Sequence, residues 1–468
     1  LQFSTHNANI FLKFKDDRLF MKKILQNLHF KEAFFYYFAI VALCTAIYSK
    51  TTAFGWTFFD DSDLILYHIN FYSDPANLLR IFSFNIIPYE SFYYRPLLTL
   101  SFFIDFIVGG GANPFVFHIT NVILHATAAC VLFAVLNKFV SRNAALLFTL
   151  LFVSHPVLVQ AVAWIPGRND SLLGLFIFNS FLFFLKWLEN AKIKNFVFFN
   201  LFFLFAMFTK ETAIILPFML AAYIVIFDKP KKLLYILPPL ILTCALFISL
   251  RMHFIEGMLP TNTIGNIVRS SPYVFHYFGK AFLPIYLSPV QMLEDYPVLP
   301  TVAAAVGFIV CCVIFKIKNL KLFAYGLLWF VTFTVPTLSL IRNVMLEHRI
   351  YVPLLGIILA IAQFTPKTPF NKHAKIFIYT AILLWFCVTS FVYSNVFINP
   401  IRFWTHAAQT SPNNSAVQIR LAMVHYHLME DIERAKLHAR KAISISPHHQ
   451  SIEFLNRLIE QTRQEEEI

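Results

Sequence analysis

The chain has 468 residues, 58% of them hydrophobic and 13% charged, with a mean hydropathy of +0.63. Soluble domains average about 25% charged residues, so this composition excludes an ordinary soluble protein and indicates an integral membrane protein. The formal net charge of +13 comes from cations scattered over separate loops, whereas a nucleic-acid footprint needs one continuous basic face, so no nucleic-acid partner is expected.

Residues 1–20 begin without Met, and Met21-Lys22-Lys23-Ile24 reads as a natural start. Residues 1–20 are therefore read as an upstream extension, and the whole of 1–32 as an N-terminal cytoplasmic segment. Beyond it, apolar windows of about 17–25 residues predict helices near 33–50, 114–137, 143–160, 171–188, 195–209, 212–227, 233–250, 299–315, 322–341, 350–364 and 376–398. The fold class expected is an all-α polytopic membrane protein of about eleven transmembrane helices.

The first outward loop runs over 51–113. It opens with Trp56-Thr57-Phe58-Phe59-Asp60-Asp61-Ser62-Asp63, three carboxylates in four residues beside aromatics. A carboxylate costs roughly 2.5–3.5 kcal/mol at a bilayer centre and persists near a membrane where it meets water or does work. An acidic loop that stays wet is the plainer account; a site handling a polar substrate is the stronger one. Within the same loop 96–108 is apolar, interrupted by Asp105 and ended by Gly109-Gly110-Gly111, which suggests a helix lying at the interface. The segment 272–288, with Pro272, Pro284 and Pro289 in or beside it, reads as a further span or another interfacial helix.

Lysine placement fits this order. Clusters at Lys22/Lys23/Lys31, Lys138/Arg142, Lys192/Lys194, Lys229/Lys231/Lys232, Lys316/Lys318/Lys321 and Lys367/Lys372/Lys375 fall in alternate loops. The positive-inside rule assigns those loops to the cytoplasm. The opposite loops hold Asp60, Asp61, Asp63, Asp74, Glu90, Asp170, Glu211, Glu256, Glu294, Asp295 and Glu347. All six cysteines lie inside expected spans with no CxxC pair, so neither a disulfide framework nor a zinc site is expected.

Several polar groups converge on the outward side. Arg95 precedes Pro96, and its fork suits a phosphate or carboxylate, although snorkelling to headgroups also accounts for such an arginine. His118, Asn121 and His125 share one face of the second span, either as a polar seam between helices or as a cavity wall. His155-Pro156 should break the third window. Pro166-Gly167 turns the chain back, and Asp170 suits the start of the next helix. Arg168 is a cation at an exposed helix N-terminus, the wrong place for an idle one, so a ligand role gains weight. Lys210-Glu211 forms either a local ion pair or a cavity contact. Glu347-His348-Arg349-Ile350-Tyr351 opens the tenth window on the same side.

Phe59-Asp60-Asp61, Tyr94-Arg95-Pro96-Leu97, Phe117-His118 with Asn121 and His125, His155-Pro156-Val157, Trp164-Ile165 with Gly167-Arg168 and Asp170, Lys210-Glu211 and Glu347-His348-Arg349-Ile350-Tyr351 occur in this order. Together they resemble the transmembrane and tetratricopeptide-repeat O-mannosyltransferases and their bacterial relatives, over nearly the whole chain from about Phe54. The resemblance implies a GT-C-type glycosyltransferase domain over 33–398. It would take a sugar from a polyprenyl- or dolichyl-phosphate donor to an acceptor hydroxyl on a protein or glycan, on the outer, periplasmic or lumenal face. An acidic residue of the first outward loop would be the base: Asp60 or Asp61. Arg95, Arg168, Arg349 and, more weakly, Lys210 would bind the donor phosphate. His118, Asn121, His125, His155, Asp170, Glu211, Glu347 and Tyr351 would line the cavity. The family often has Glu where this chain has Gln160. No cofactor is required by the resemblance, and acidic groups near a phosphate leave room for Mg²⁺ or Mn²⁺. The setting expected is the bacterial inner membrane, or the endoplasmic reticulum membrane in a eukaryote, with the C-terminus outside.

After Asn399-Pro400 the composition turns polar. Segments Val417–Met429 and Ile432–Ile445 read as paired helices, and Tyr426, Ala435, Ala442 and Pro447 match key tetratricopeptide positions. Residues 448–461 read as a further half-repeat, so 399–468 is expected to be a repeat-like helical tail. Its Glu430-Asp431 turn stands where a Gly is usual. About three repeats are needed for independent stability, so the tail should pack on the membrane domain or on a protein partner. Two other functions remain open at this point: a transporter or flippase for a lipid-linked sugar, and a non-catalytic membrane scaffold acting through the tail.

Overall fold

A computed structural model describes residues 32–83, 93–254, 263–338, 344–367 and 371–466. The expected extension 1–20 and the carboxylates Glu90 and Glu256 lie outside the described residues. Helices dominate, and two short antiparallel strand pairs, Gln291–Met292 with Val344–Met345 and Lys316–Ile317 with Phe364–Thr365, tie loops together.

Each apolar window contains helix among the described residues, because a backbone without water must satisfy its own hydrogen bonds. Among the described residues five helices are long and apolar enough to cross a membrane: Glu32–Ala53, Pro114–Leu136, Ile165–Asn190, Pro230–Phe254 and Lys372–Phe397. The third window is a bent pair, Arg142–Val153 and Pro156–Ala163, meeting at 52°. Pro156 causes the break, since proline removes a backbone donor, and the His155 side chain accepts from Val157 N at 3.3 Å to start the next turn. If that pair is one span, the number of span-length units is six.

The remaining windows hold shorter helices. Ile193–Thr209 and Val298–Ile314 have 17 residues each, a rise of roughly 25 Å against a hydrocarbon core of about 30 Å. The window 350–364 contains an eight-residue helix, Leu354–Ile361, preceded by the turn at Tyr351 and Val352. Pro96–Val108 and Pro272–Phe282 are also helical, with proline at the first position of each, where its missing N–H costs nothing.

Aromatic side chains fill the core. Phe181 packs on Tyr223, Tyr325 and Trp329 with ring centroids 5.2–6.3 Å apart, which is where part of the heavy Phe usage goes. Helix Leu320–Thr334 closes on Leu354–Ile361 through Gly326 and Gly356. A Cβ on Gly326 would sit 2.5 Å from Gly356 O, so a small residue is required for that approach.

The polar C-terminal segment forms helices Pro400–Thr410, Ser415–Met429, Ile432–Ile445 and His449–Glu466. Asn414 and Asp431 cap the second and third of these by accepting from Val417 N and Arg434 N. Glu430 takes φ +53° at the turn, the left-handed conformation that explains why glycine would be easier there. The tail is fastened to the membrane domain: Gln291 Nε2 donates to Thr410 O at 3.1 Å, and Asn413 Nδ2 to Asp295 Oδ1 at 2.7 Å.

Candidate active site

The Asp60-Asp61 loop is folded around one carboxylate. Asp61 Oδ2 accepts from Thr57 N (2.5 Å), Thr57 Oγ1 (2.7 Å) and Phe58 N (3.0 Å). This knot holds Phe58 at φ +53° and starts the short helix Asp60–Leu64. Asp61 is buried, and its Oδ1 has no partner among the described residues. Burial pushes its carboxyl up to about 6, against the lowering effect of those hydrogen bonds. Asp60, one residue earlier, is half-buried.

Trp164 and the tail clamp this loop. Trp164 Nε1 donates to Thr57 Oγ1 at 3.1 Å, and Phe59 stacks on the Trp164 ring at 5.3 Å and 19°. Trp404, from the first polar helix, donates to Thr57 O at 3.1 Å. Gly55 N donates to Ile398 O at 2.8 Å, so the loop that carries Asp60-Asp61 is tied to the end of the helix Lys372–Phe397.

A charged cluster lies beyond Trp164. The Trp164 ring is 5.5 Å from the His348 ring, and His348 Nε2 is 3.6 Å from Asp170 Oδ2. Asp170 also accepts from Lys210 Nζ at 2.8 and 2.7 Å. Arg95 grips Glu211, with Nε at 3.1 Å and Nη2 at 2.9 Å from Oε2. Asn169 joins them: with its amide oriented to satisfy both neighbours, it accepts from Arg95 Nη1 at 2.8 Å and donates to Thr209 O at 3.1 Å. Lys210 and Glu211 therefore pair with separate partners and not with each other.

Electrostatics bind the cluster into one unit. Burial lowers the Lys210 ammonium, Asp170 raises it, and the Arg95 and Arg349 charges lower it further. Burial, then Lys210, Arg349 and Arg95, hold His348 well below its usual value, so it is neutral at pH 7. Arg95 and Lys210 each hold a carboxylate, Glu211 and Asp170, and the Arg349 charge acts on the same place. Guanidinium and ammonium groups gathered in this way suit an anion with a fork-shaped arrangement of oxygens.

The other expected site residues build the frame. Arg168 is 0% exposed. It pairs with Asp105 Oδ2 at 2.5 Å and donates to Asn121 Oδ1 at 2.7 Å and Phe117 O at 2.6 Å. The sequence suggested a cation open to a ligand at a helix start; tertiary packing covers that start completely. Asn121 Nδ2 donates to Val162 O and Trp164 O, both at 3.0 Å, which pins the turn that carries Trp164. His118 is buried on the same helix against Phe54, with ring centroids 6.0 Å apart.

His125 bonds Tyr351 OH at 2.8 Å and Val153 O at 3.2 Å, and the Tyr351 ring lies so close to Gly174 that a Cβ there would meet it at 2.5 Å. His155 Nε2 bonds Ala281 O at 3.1 Å. Glu347 is wholly buried, held by Lys280 Nζ (2.5 Å), Ser288 N (2.9 Å) and Tyr393 OH (2.9 Å). Gln160 donates to Pro289 O at 2.8 Å and accepts from His348 N at 3.2 Å. A carboxylate could not make the first of these bonds, so the amide fits its surroundings here.

Sequence reasoning left Asp105, Lys280, Asn169, Trp164 and His348 without a role. An unpaired intramembrane charge demands a partner, so Asp105 and Arg168 could have been matched in advance. Nothing in the sequence pointed to Lys280 meeting Glu347. Among the described residues no group of three or more His, Cys, Asp or Glu is arranged to hold a metal ion.

A family model described as dolichyl-phosphate-mannose-protein mannosyltransferase matches residues 98–252. Protein O-mannosyl-transferase TMTC1 of Mus musculus is 43% identical over 100 residues, 21% of this chain and 10% of that protein. TMTC2 of Homo sapiens is 42% identical over 95 residues, 20% of this chain and 11% of that protein. Over these stretches the chain is similar to the transmembrane and tetratricopeptide-repeat O-mannosyltransferases. TMTC4 of Mus musculus is similar too, 36% identical over 103 residues, 19% of this chain and 14% of the relative. The matched stretches thus span only about a tenth to a seventh of these O-mannosyltransferases. Arg168, Asp170, Lys210 and Glu211 fall within the matched 98–252; Asp60, Asp61 and Arg349 fall outside it. No solved structure matches the chain.

Proposed function

We propose that the protein is a GT-C-type membrane glycosyltransferase that moves a mannosyl residue from a polyprenyl- or dolichyl-phosphate donor to an acceptor hydroxyl on a protein. The observation that carries this reading is the continuous path from the Asp60-Asp61 loop, through Trp164 and His348, to the Arg95–Lys210–Arg349 cluster. A base at one end and gathered cationic groups at the other suit displacement of a phosphate by a hydroxyl. The names of the related proteins supply the sugar.

In this reaction the acceptor oxygen attacks the anomeric carbon while the bond from that carbon to the phosphate oxygen breaks. Asp60, half-buried beside the knot, takes the hydroxyl proton, a contribution of typically 10²–10⁴-fold. Asp61 fixes the loop. The electron pair leaves on the phosphate, whose growing charge Arg95, Lys210 and Arg349 stabilise. Attack opposite the leaving group inverts the anomeric configuration. Arg168 serves by holding Asn121, and through it the Trp164 turn.

The reading extends to the architecture: eleven spans, with the bent pair and the shorter apolar helices crossing tilted or beside thinned bilayer. Lysine-rich loops would be cytoplasmic and the acidic loops, the active site and the tetratricopeptide-like tail outside. The test is purified protein with lipid-phosphate mannose and a Ser/Thr peptide. Mannosyl peptide that forms only with the lipid donor is the expected result. Movement of the intact donor across vesicles without transfer would replace this reading by a transporter.

A further inference from the structure

His348 is buried, and its Nδ1 has no hydrogen-bond partner among the described residues. Buried polar atoms are almost always paired, and leaving one unpaired costs on the order of 1–3 kcal/mol, so an orphan at a candidate site asks for a missing partner. Its other nitrogen, Nε2, faces Asp170 Oδ2 at 3.6 Å. A carboxylate draws the imidazole proton to the nitrogen that faces it, which leaves Nδ1 with a bare lone pair. The backbone on either side is fixed: His348 N donates to Gln160 Oε1, and neighbouring Glu347 is held by Lys280, Ser288 and Tyr393. The ring itself is flanked by the Trp164 ring at 5.5 Å and the Asp170 carboxylate at 3.6 Å.

The position decides what that partner is. His348 stands between the cationic cluster, through Asp170, and the acidic loop, through the Trp164 ring. In a sugar phosphate the sugar lies between the phosphate and the attacked face. A bare imidazole nitrogen repels phosphate oxygens and accepts from a hydroxyl. Burial first, and then the charges of Lys210, Arg349 and Arg95, keep the ring neutral, so acceptance is its standing role. We infer that His348 is a specificity-determining residue whose Nδ1 accepts a hydrogen bond from a hydroxyl of the transferred sugar. The inference rests on the glycosyl-transfer reading above.

The test compares two ligands on the full chain: lipid-phosphate mannose as donor, and the sugar-free lipid phosphate as inhibitor. His348→Phe keeps the bulk and removes both nitrogens; His348→Asn restores an acceptor near the Nδ1 position. The expected result is a donor kcat/KM lowered about 10–100-fold in His348→Phe, the loss of a directed hydrogen bond in a buried site. His348→Asn should recover part of it. Inhibition by the sugar-free lipid phosphate should be unchanged in both. Wild-type donor kinetics in His348→Phe would overturn the inference. So would an equal weakening of donor and sugar-free inhibitor, which would assign His348 to the phosphate. A His348→Phe protein that is poorly folded is replaced by His348→Leu, where lowered donor kcat/KM with unchanged sugar-free inhibition supports the role and wild-type donor kinetics overturn it. Absence of transfer in the wild-type protein would fail the glycosyl-transfer reading itself.

Discussion

Arg168 and Asp105 meet at 2.5 Å with the arginine side chain wholly excluded from solvent and the aspartate nearly so. They join the Pro96–Val108 helix to the helix that starts at Arg168, while Asn121 and Phe117 bring in the second span. Breaking a buried pair leaves an uncompensated charge, at a cost of about 3–5 kcal/mol. Arg168→Met should therefore cut folded yield and thermal stability sharply. Arg168→Met with Asp105→Leu should recover much of the loss, as measured by melting of detergent-purified protein. A single variant as stable as wild type would show that the pair contributes nothing.

Asp60 and Asp61 sit one residue apart and should behave differently. Asp60→Asn removes the proton acceptor and should lower kcat at least 100-fold with unchanged melting. Asp61→Asn keeps an oxygen for Thr57 and Phe58, so a smaller loss is expected. Near-native turnover in Asp60→Asn would move the base elsewhere.

The raised carboxyl of Asp61 has a consequence for stability. Its folded value is about 6, above the usual 3.9 of an exposed aspartate. Between roughly pH 4 and 6 the folded protein binds the extra proton, so this group's contribution is fully present below the unfolded value and is lost as pH rises through about 6. Melting temperature should carry a component that falls from pH 5 to pH 7 and vanishes in Asp61→Asn. An identical pH profile for both proteins would place the proton on another group.

The Arg349 charge acts on both Lys210 and His348, lowering each. Arg349→Lys keeps the charge and loses the fork; Arg349→Ala loses both. About a tenth of wild-type kcat is expected for Lys and less than a hundredth for Ala, with KM for the donor raised in each. Equal and near-native turnover at saturating donor would remove Arg349 from the phosphate.

Sidedness can be read by cysteine labelling. An engineered thiol at Ser415 should react from outside intact cells, and one at Lys231 only after permeabilisation. Reaction at 231 from outside would reverse the orientation and put the Asp60-Asp61 loop in the cytoplasm.

The sequence by itself determined the class and most helices, because a run of apolar residues admits one backbone solution in lipid. It also singled out Asp60-Asp61, since a charge beside a span has to be explained. The proline signal set the local break at Pro156. Partners were another matter. Arg168 and Arg95 look alike in sequence, two arginines at helix starts, yet one is buried on Asp105 and the other grips Glu211 at the cluster. Lys210-Glu211 reads as a pair and is split between Asp170 and Arg95. Glu347 and Lys280 lie 67 positions apart and meet at 2.5 Å. Apolar patterning fixes which face of a helix is buried, but not which neighbour covers it. That choice is made by ring packing, close glycine contacts and buried charge pairing, which act only once the helices have assembled.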